Sequence, residues 1–258
     1  MRMLKSLLFA RVQVWELSLV AVFGLVTFLA VRPHPYPEPQ SAGEIDYFRT
    51  TYGPGHHTER EEEWLIRDFF KGRRNGVFVD VGANHYERYN KTYYLETNLG
   101  WSGMAVEPQA EFAEGYRLHR PRTKLFQLFV SDTSDKEAVL YVSRTAPLAA
   151  SADKAFVKQF GHPDEARTVH TITLNDLLDR QGVRHPNFVS IDIELHEPYA
   201  LRGFDIDRFK PDLVCIEALL PVRQAILDYF AAHAYVAVGR YLWVDRENLY
   251  FMPLTGTR

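Results

Sequence analysis

Val77-Phe78-Val79-Asp80-Val81-Gly82-Ala83-Asn84 decides how the rest of the chain is read. An apolar run carrying a single acid ends in a glycine, and a short polar residue follows. Continuous apolar runs of this length suit strands buried on both faces, as in a parallel sheet covered by helices. In such sheets ligands bind outside the carboxyl ends of the strands, near the point where strand order reverses. Asp80, Gly82 and Asn84 are therefore candidate binding residues. The glycine lets backbone approach a ligand closely. A helix beginning directly after the motif would aim its amides and positive dipole end at a carboxylate. An ordinary strand-to-helix turn is the competing reading.

Outward from this stretch, apolar runs recur at 103–106, 125–130, 188–193 and 213–216, with 76–81 as the first. Between and after them, helical spacing appears at 88–98, 110–118, 174–180, 199–204 and 222–232. That alternation predicts an α/β fold with a doubly wound, mostly parallel sheet. Residues 137–143 and 169–172 read as an inserted pair of strands. The segments 235–238, 241–244 and 249–252 read as antiparallel strands closing the C-terminal edge of the sheet. Glu107 ends the second run some 25 residues after the first acid, where nucleotide folds place a carboxylate on ribose hydroxyls. The full Gly-x-Gly-x-x-Gly pattern is missing, which argues against a dinucleotide and hence against a nicotinamide enzyme.

Upstream, Thr58 and Glu61 have the spacing of a capping box, with Leu65, Ile66, Phe69 and Phe70 as an apolar face behind them. The folded domain is accordingly expected over 58–258. Residues 32–57 are expected as a linker that opens with the proline-rich run 32–39. Residues 14–31 form an apolar stretch of about 18 residues, near the shortest length that spans a bilayer. A single transmembrane anchor is expected there, because Phe28 fits a signal-peptide cleavage site poorly. Arg2, Lys5 and Arg11 precede the stretch and only Arg32 follows it closely. The charge pattern thus keeps residues 1–13 cytoplasmic and the domain on the extracytoplasmic side.

The 258 residues carry a net charge of −3 with no basic stripe, so nucleic acid is not an expected partner. Cys215 is the only cysteine, which excludes a disulfide framework and a thiolate zinc site.

The motifs also share a family likeness. The relevant segments are Phe78 to Asn84, Tyr93-Tyr94-Leu95-Glu96, Leu99-Gly100-Trp101-Ser102-Gly103 and Val106-Glu107-Pro108. Further along come Thr171-Ile172-Thr173-Leu174, Ser190-Ile191-Asp192-Ile193-Glu194-Leu195-His196-Glu197 and Pro211-Asp212-Leu213-Val214-Cys215-Ile216-Glu217. Together they resemble the FkbM-type methyltransferases, in family order. The resemblance implies a Rossmann-like fold, S-adenosylmethionine as cofactor and O-methylation of a sugar, glycan, lipid-linked or polyketide-type acceptor. It places Asp80, Gly82, Asn84 and Glu107 on donor-site motifs, and Ser131 and Asp132 where adenine is contacted. The chain departs from the family at His85-Tyr86, where a glycine is common second, and at Leu195, where a glycine is also common. Bulk at these two places is expected to narrow the donor pocket or its entrance. On that ground the alternative is a catalytically weak or inactive methyltransferase-like module for binding or trafficking at a membrane.

The acidic cluster at the end of the fourth run supplies the catalytic candidates Asp192, Glu194, His196 and Glu197. A carboxylate or imidazole there can accept the proton that a hydroxyl acceptor must lose. Asp192 is expected beside the donor methyl group, and the other three at the acceptor. No metal is assigned, since spacing along a strand end does not make these side chains converge. Helix capping by the same acids is the competing reading.

Overall fold

The computed structural model describes residues 42–254. The chain divides into the units Met1–Pro39 and Gln40–Arg258, and every described residue belongs to the second. The expected anchor at 14–31 and the proline run at 32–39 lie outside the described residues. Among the described residues no helix is long and apolar enough to cross a membrane.

A seven-stranded sheet forms the centre. Its strands are β1 (Val77–Val81), β2 (Ser102–Val106), β3 (Thr123–Phe126), β7 (Phe188–Ile191), β8 (Leu213–Glu217), β9 (Tyr235–Ala237) and β10 (Asn248–Pro253), in the order β3-β2-β1-β7-β8-β10-β9. The first five are mutually parallel, and β10 runs antiparallel to both β8 and β9. The expected doubly wound sheet with an antiparallel C-terminal edge is present. Strand order reverses between β1 and β7, which places the binding crevice over their carboxyl ends.

Alternation along the strands sorts side chains onto two faces. Val79, Val81, Val189, Ile191, Val214 and Ile216 pack on one face. They meet α6 (Leu174–Gln181), α7 (Glu197–Arg202), α8 (Ile206–Phe209) and α9 (Leu220–Ala232). Phe78, Phe188, Leu213 and Cys215 point the other way. That face is covered by α1 (Ala42–Tyr52), α2 (Glu62–Phe70) and α3 (Tyr93–Leu99). Helix α4 (Ala113–His119) lies by β3, with Tyr116 buried against Ala83 and Ala105.

The structure differs from the sequence reading in several places. Helix α1 lies inside the stretch expected as linker, because Phe48 is fully buried beside Trp64 and Tyr241. Tyr52 donates to Asp68 at 3.1 Å, and Arg240 pairs with Glu44 at 3.1 Å. The folded body therefore includes α1. The capping box is reorganised: Thr58 Oγ1 accepts from Glu63 N at 3.2 Å, and the Glu63 carboxylate accepts from His57 N at 2.8 Å. Glu61 makes no side-chain cap. The run at 125–130 splits between β3 and β4 (Phe129–Val130), which belongs to a separate three-stranded sheet with β5 (Glu137–Val142) and β6 (Glu165–Ile172). Residues 241–244 are largely a 3-10 turn, Gly239–Trp243, because Tyr241 turns inward to donate to Asp68 at 2.8 Å. Finally, α3 starts only at Tyr93, eleven residues after Gly82. No helix N-terminus follows the glycine directly, so the expected amide site is absent there.

Between β5 and β6 the chain adds a 3-10 turn, Pro147–Ala149, and α5 (Lys154–Phe160), neither foreseen from the sequence. Asp153 caps α5 by accepting from Ala155 N and Phe156 N.

Candidate active site

A crevice of about 740 Å³, counted out to its open mouth, lies over the carboxyl ends of β1, β2 and β7. Gly82, Asn84, Glu107, Asp192 and Glu194 all line it. Gly82 has φ +78, and a Cβ there would sit 1.8 Å from the carbonyl oxygen of Asp192. The glycine therefore serves two needs: a left-handed backbone and close contact between the turns after β1 and β7. The atom in the way is the protein's own backbone carbonyl.

Glu107 is buried at the end of β2. Its two oxygens accept from Asn84 N at 3.1 Å and Gln109 N at 2.8 Å. Burial pushes its pKa up to about 7, against those two backbone bonds. Gln109, which the sequence reading missed, lies beside it with Nε2 donating to Pro147 O and Oε1 buried without a partner. At this end of the crevice the Glu107 carboxylate and the Gln109 amide oxygen lie side by side.

Asp80 does not line this crevice. It shares the face of Phe78, and its Oδ2 accepts from the Thr92 hydroxyl at 2.9 Å. Burial raises its pKa, against the pull of Lys91, Thr92 and Arg120. The loop 83–92 is held from beneath. Asn90 donates to the carbonyls of Ala83 and His85, and Arg120 donates to Asn90, to Thr92 and to the Tyr86 carbonyl. Arg120 is buried and pairs with Glu96 at 2.6 Å, while Thr123 also donates to Glu96. These residues fix where Asn84 stands, and none of Asn90, Thr92 and Arg120 was singled out from the sequence.

Asp192 is held by Lys91, whose Nζ lies 2.5 Å from Oδ2. Burial pulls the Lys91 ammonium down, but Asp192, Cys215 and Glu62 outweigh it, and the net shift is well upward. Glu194 stands at φ +55 and Leu195 at φ +74, both left-handed. Two such residues in succession turn the chain, so that His196 faces away from the crevice. There its ring stacks on Tyr199 with centroids 4.4 Å apart, and Nε2 lies 3.1 Å from Ser131 Oγ. Burial lowers its pKa to about 4. Glu197 is fully buried, and its Oε1 accepts from Ile193 N at 2.9 Å. Burial raises its pKa. That contact is close to the expected capping role, turned onto the loop before α7.

Ser131 and Asp132 are also displaced from the expected position. They follow β4, where Ser131 meets His196 and Asp132 pairs with Arg202 at 3.4 Å. The split of the third run carries them off the sheet whose ends form the crevice. Beside Glu107 their place is taken by Pro108, Gln109, Phe129 and Leu148.

The two family departures do not fill the crevice. Tyr86 lies over Gly115 and stacks on His119 with centroids 4.5 Å apart. Leu195 lines a different hollow together with His196 and Tyr199. His85 faces a second crevice that adjoins the first.

With this geometry in hand, the comparison with known families is specific. The family model for the methyltransferase FkbM domain matches residues 80–238. The chain belongs to the FkbM methyltransferase family. Its cofactor is S-adenosylmethionine, and the crevice suits that molecule: Glu107 and the free Gln109 oxygen offer acceptors to hydroxyl or amine donors. No curated protein matches this FkbM chain in sequence.

Solved structures similar to it include a precorrin-6y C5,15-methyltransferase from Geobacter metallireducens, at 11% identity, TM-score 0.40, covering 74% of this chain and 85% of that one. A TehB-like SAM-dependent methyltransferase from Corynebacterium glutamicum gives 11% identity and TM-score 0.42, covering 82% and 98%. An O-methyltransferase from Bacillus cereus in complex with SAH gives 12% and 0.40, covering 88% and 96%. Membership of the FkbM family rests on the family match and not on these likenesses.

Proposed function

We propose that this FkbM protein transfers a methyl group to a hydroxyl of a sugar-, lipid- or polyketide-type acceptor, and that residues 14–31 hold it at a membrane. The observation that carries the reading is the second crevice, which shares Glu59, Asn84, Tyr89, Leu148 and Glu194 with the first. Phe112, Pro147, Phe156, Phe160 and Leu219 give it an apolar wall, and Arg60 and Arg88 add polar edges. A hydroxyl-bearing acceptor with an apolar portion matches that lining.

The donor, when bound, supplies an electrophilic methyl carbon for in-line displacement. The protein's part is to hold the two reactants in line. Glu107 and Gln109 would hold the donor's nucleoside part. Asp192, kept in place by Lys91, stands between that end and the second crevice. Glu194 opens into both crevices, and burial together with Asp192 and Glu197 raises its affinity for a proton. A carboxylate so placed suits the acceptance of a hydroxyl proton. His196 and Glu197 line neither crevice, so Glu194 is preferred as the base. Tyr86 and Leu195 leave the donor crevice open, which supports an enzyme over a binding module.

The test is single-turnover methyl transfer from labelled donor to a panel of sugar, lipid and polyketide hydroxyls. Glu194→Gln should bind donor and melt like the parent. Asp192→Asn should fold and bind donor with some loss of stability from the unpaired Lys91. Both should turn over at least ~100-fold more slowly. Near-normal turnover in both variants removes the assignment. For the anchor, digestion of the domain from the cytoplasmic side of sealed vesicles would refute the topology the charges imply.

A further inference from the structure

Three carboxylates from separate segments meet where the two crevices join. Asp192 and Glu194 come from the loop after β7, and Glu217 ends β8. One oxygen of each lies within 4.8 Å of the others. Glu217 is not among the acids that the sequence pattern brought together. Sheet register does that: Ile191 pairs with Ile216, so Glu217 and Asp192 leave adjacent parallel strands at the same level.

Glu217 is buried to more than nine-tenths, and its Oε2 has no hydrogen-bond partner. A buried carboxylate oxygen left in that state costs free energy unless some ligand satisfies it. Charge points the same way: Lys91 already sits on Asp192, and a dication would relieve the mutual repulsion of the three acids. Glu197 stands close behind and adds to the negative field. Oxygen-only donors of this kind select hard cations. Oxygens on opposite sides of Ca²⁺ are about 5 Å apart, and on Mg²⁺ about 4 Å. The limit of 4.8 Å on the three oxygens falls within what Ca²⁺ spans.

We propose that Asp192, Glu194 and Glu217 form a binding site for a hard divalent cation of the Mg²⁺, Mn²⁺ or Ca²⁺ class. The site shares Asp192 and Glu194 with the proposed catalytic machinery, but it is tested without donor or turnover. Loss of methyl transfer in the experiments above would therefore leave it untouched.

Mn²⁺ alone is the probe. The full chain, stripped with chelator, is titrated with Mn²⁺ and followed by calorimetry and by loss of the free-ion electron paramagnetic resonance signal. One saturable site with a Kd of about 1 mM or tighter is expected, within the range of oxygen-ligand sites. Glu217→Gln keeps the shape and removes the charge, and it should weaken Mn²⁺ by about tenfold or more. Glu165→Gln, an exposed acid on β6, should bind Mn²⁺ like the parent. Asp192→Asn repeats the test should Glu217→Gln lose its cooperative melt. Absence of saturable Mn²⁺ binding by the parent protein overturns the proposal. So does undiminished binding by a folded Glu217→Gln or Asp192→Asn protein.

Discussion

Glu107→Gln should make the donor-free protein more stable at pH 8 and no more stable at pH 5. Burial lifts the folded-state pKa of Glu107 from the ordinary 4.5 to about 7. Because the folded value is the higher one, the unfolded chain gives up its proton first as pH rises. Stability then falls across the interval from 4.5 to about 7 and stays lowered above it. That interval corresponds to about 3 kcal/mol at pH 8, and to less than about 1 kcal/mol at pH 5. The glutamine removes this term but turns an NH₂ toward one of the two backbone donors, Asn84 N or Gln109 N. Losing that bond costs about 1–2 kcal/mol. The balance favours the variant by about 1–2 kcal/mol at pH 8 and turns against it at pH 5.

Urea denaturation of both proteins at the two pH values measures the balance. A variant no more stable than the parent at pH 8, or an equal difference at both values, would refute the reasoning. Added S-adenosylmethionine should reverse the order at pH 8. The parent then gains stability by mass action, whereas the variant binds donor about ten- to a hundredfold more weakly.

Two further substitutions test the frame of the site. Gly82→Ala places a Cβ 1.8 Å from the Asp192 carbonyl oxygen on a backbone at φ +78, so a loss of more than about 3 kcal/mol is expected. A denaturation midpoint within about 1 kcal/mol of the parent would show that the two turns are not locked together. Phe48→Ala empties a fully buried site under α1 and should cost about 3–5 kcal/mol in the global unfolding transition. An unchanged melting temperature would return residues 42–52 to the linker.

Much of the framework was legible in the residues alone. The runs around Val79, Val189 and Val214 are apolar without interruption because both faces of the parallel strands are covered, and that pattern is local. Asp80, Glu107 and Asp192 mark strand ends for the same reason, since an acid is tolerated only where the apolar run stops or a buried partner awaits it. Thr92 is such a partner for Asp80.

What escaped the sequence depended on contacts between distant segments. Whether Phe48 belongs to the domain turns on Tyr241 and Arg240, nearly two hundred residues away. The wall of the second crevice comes from the insertion between β5 and β6, whose short elements carry little periodic signal. The acids sorted least predictably of all. Asp192, Glu194, His196 and Glu197 are neighbours in the chain, but left-handed backbone at Glu194 and Leu195 turns His196 away, and Glu197 is buried behind the loop. Glu217 joins Asp192 and Glu194 instead, because parallel register sets the ends of β7 and β8 side by side. Sequence order determined which strands end in acids; only the packed sheet decided which of those acids share a space, since convergence depends on register and backbone handedness that no short stretch of residues encodes.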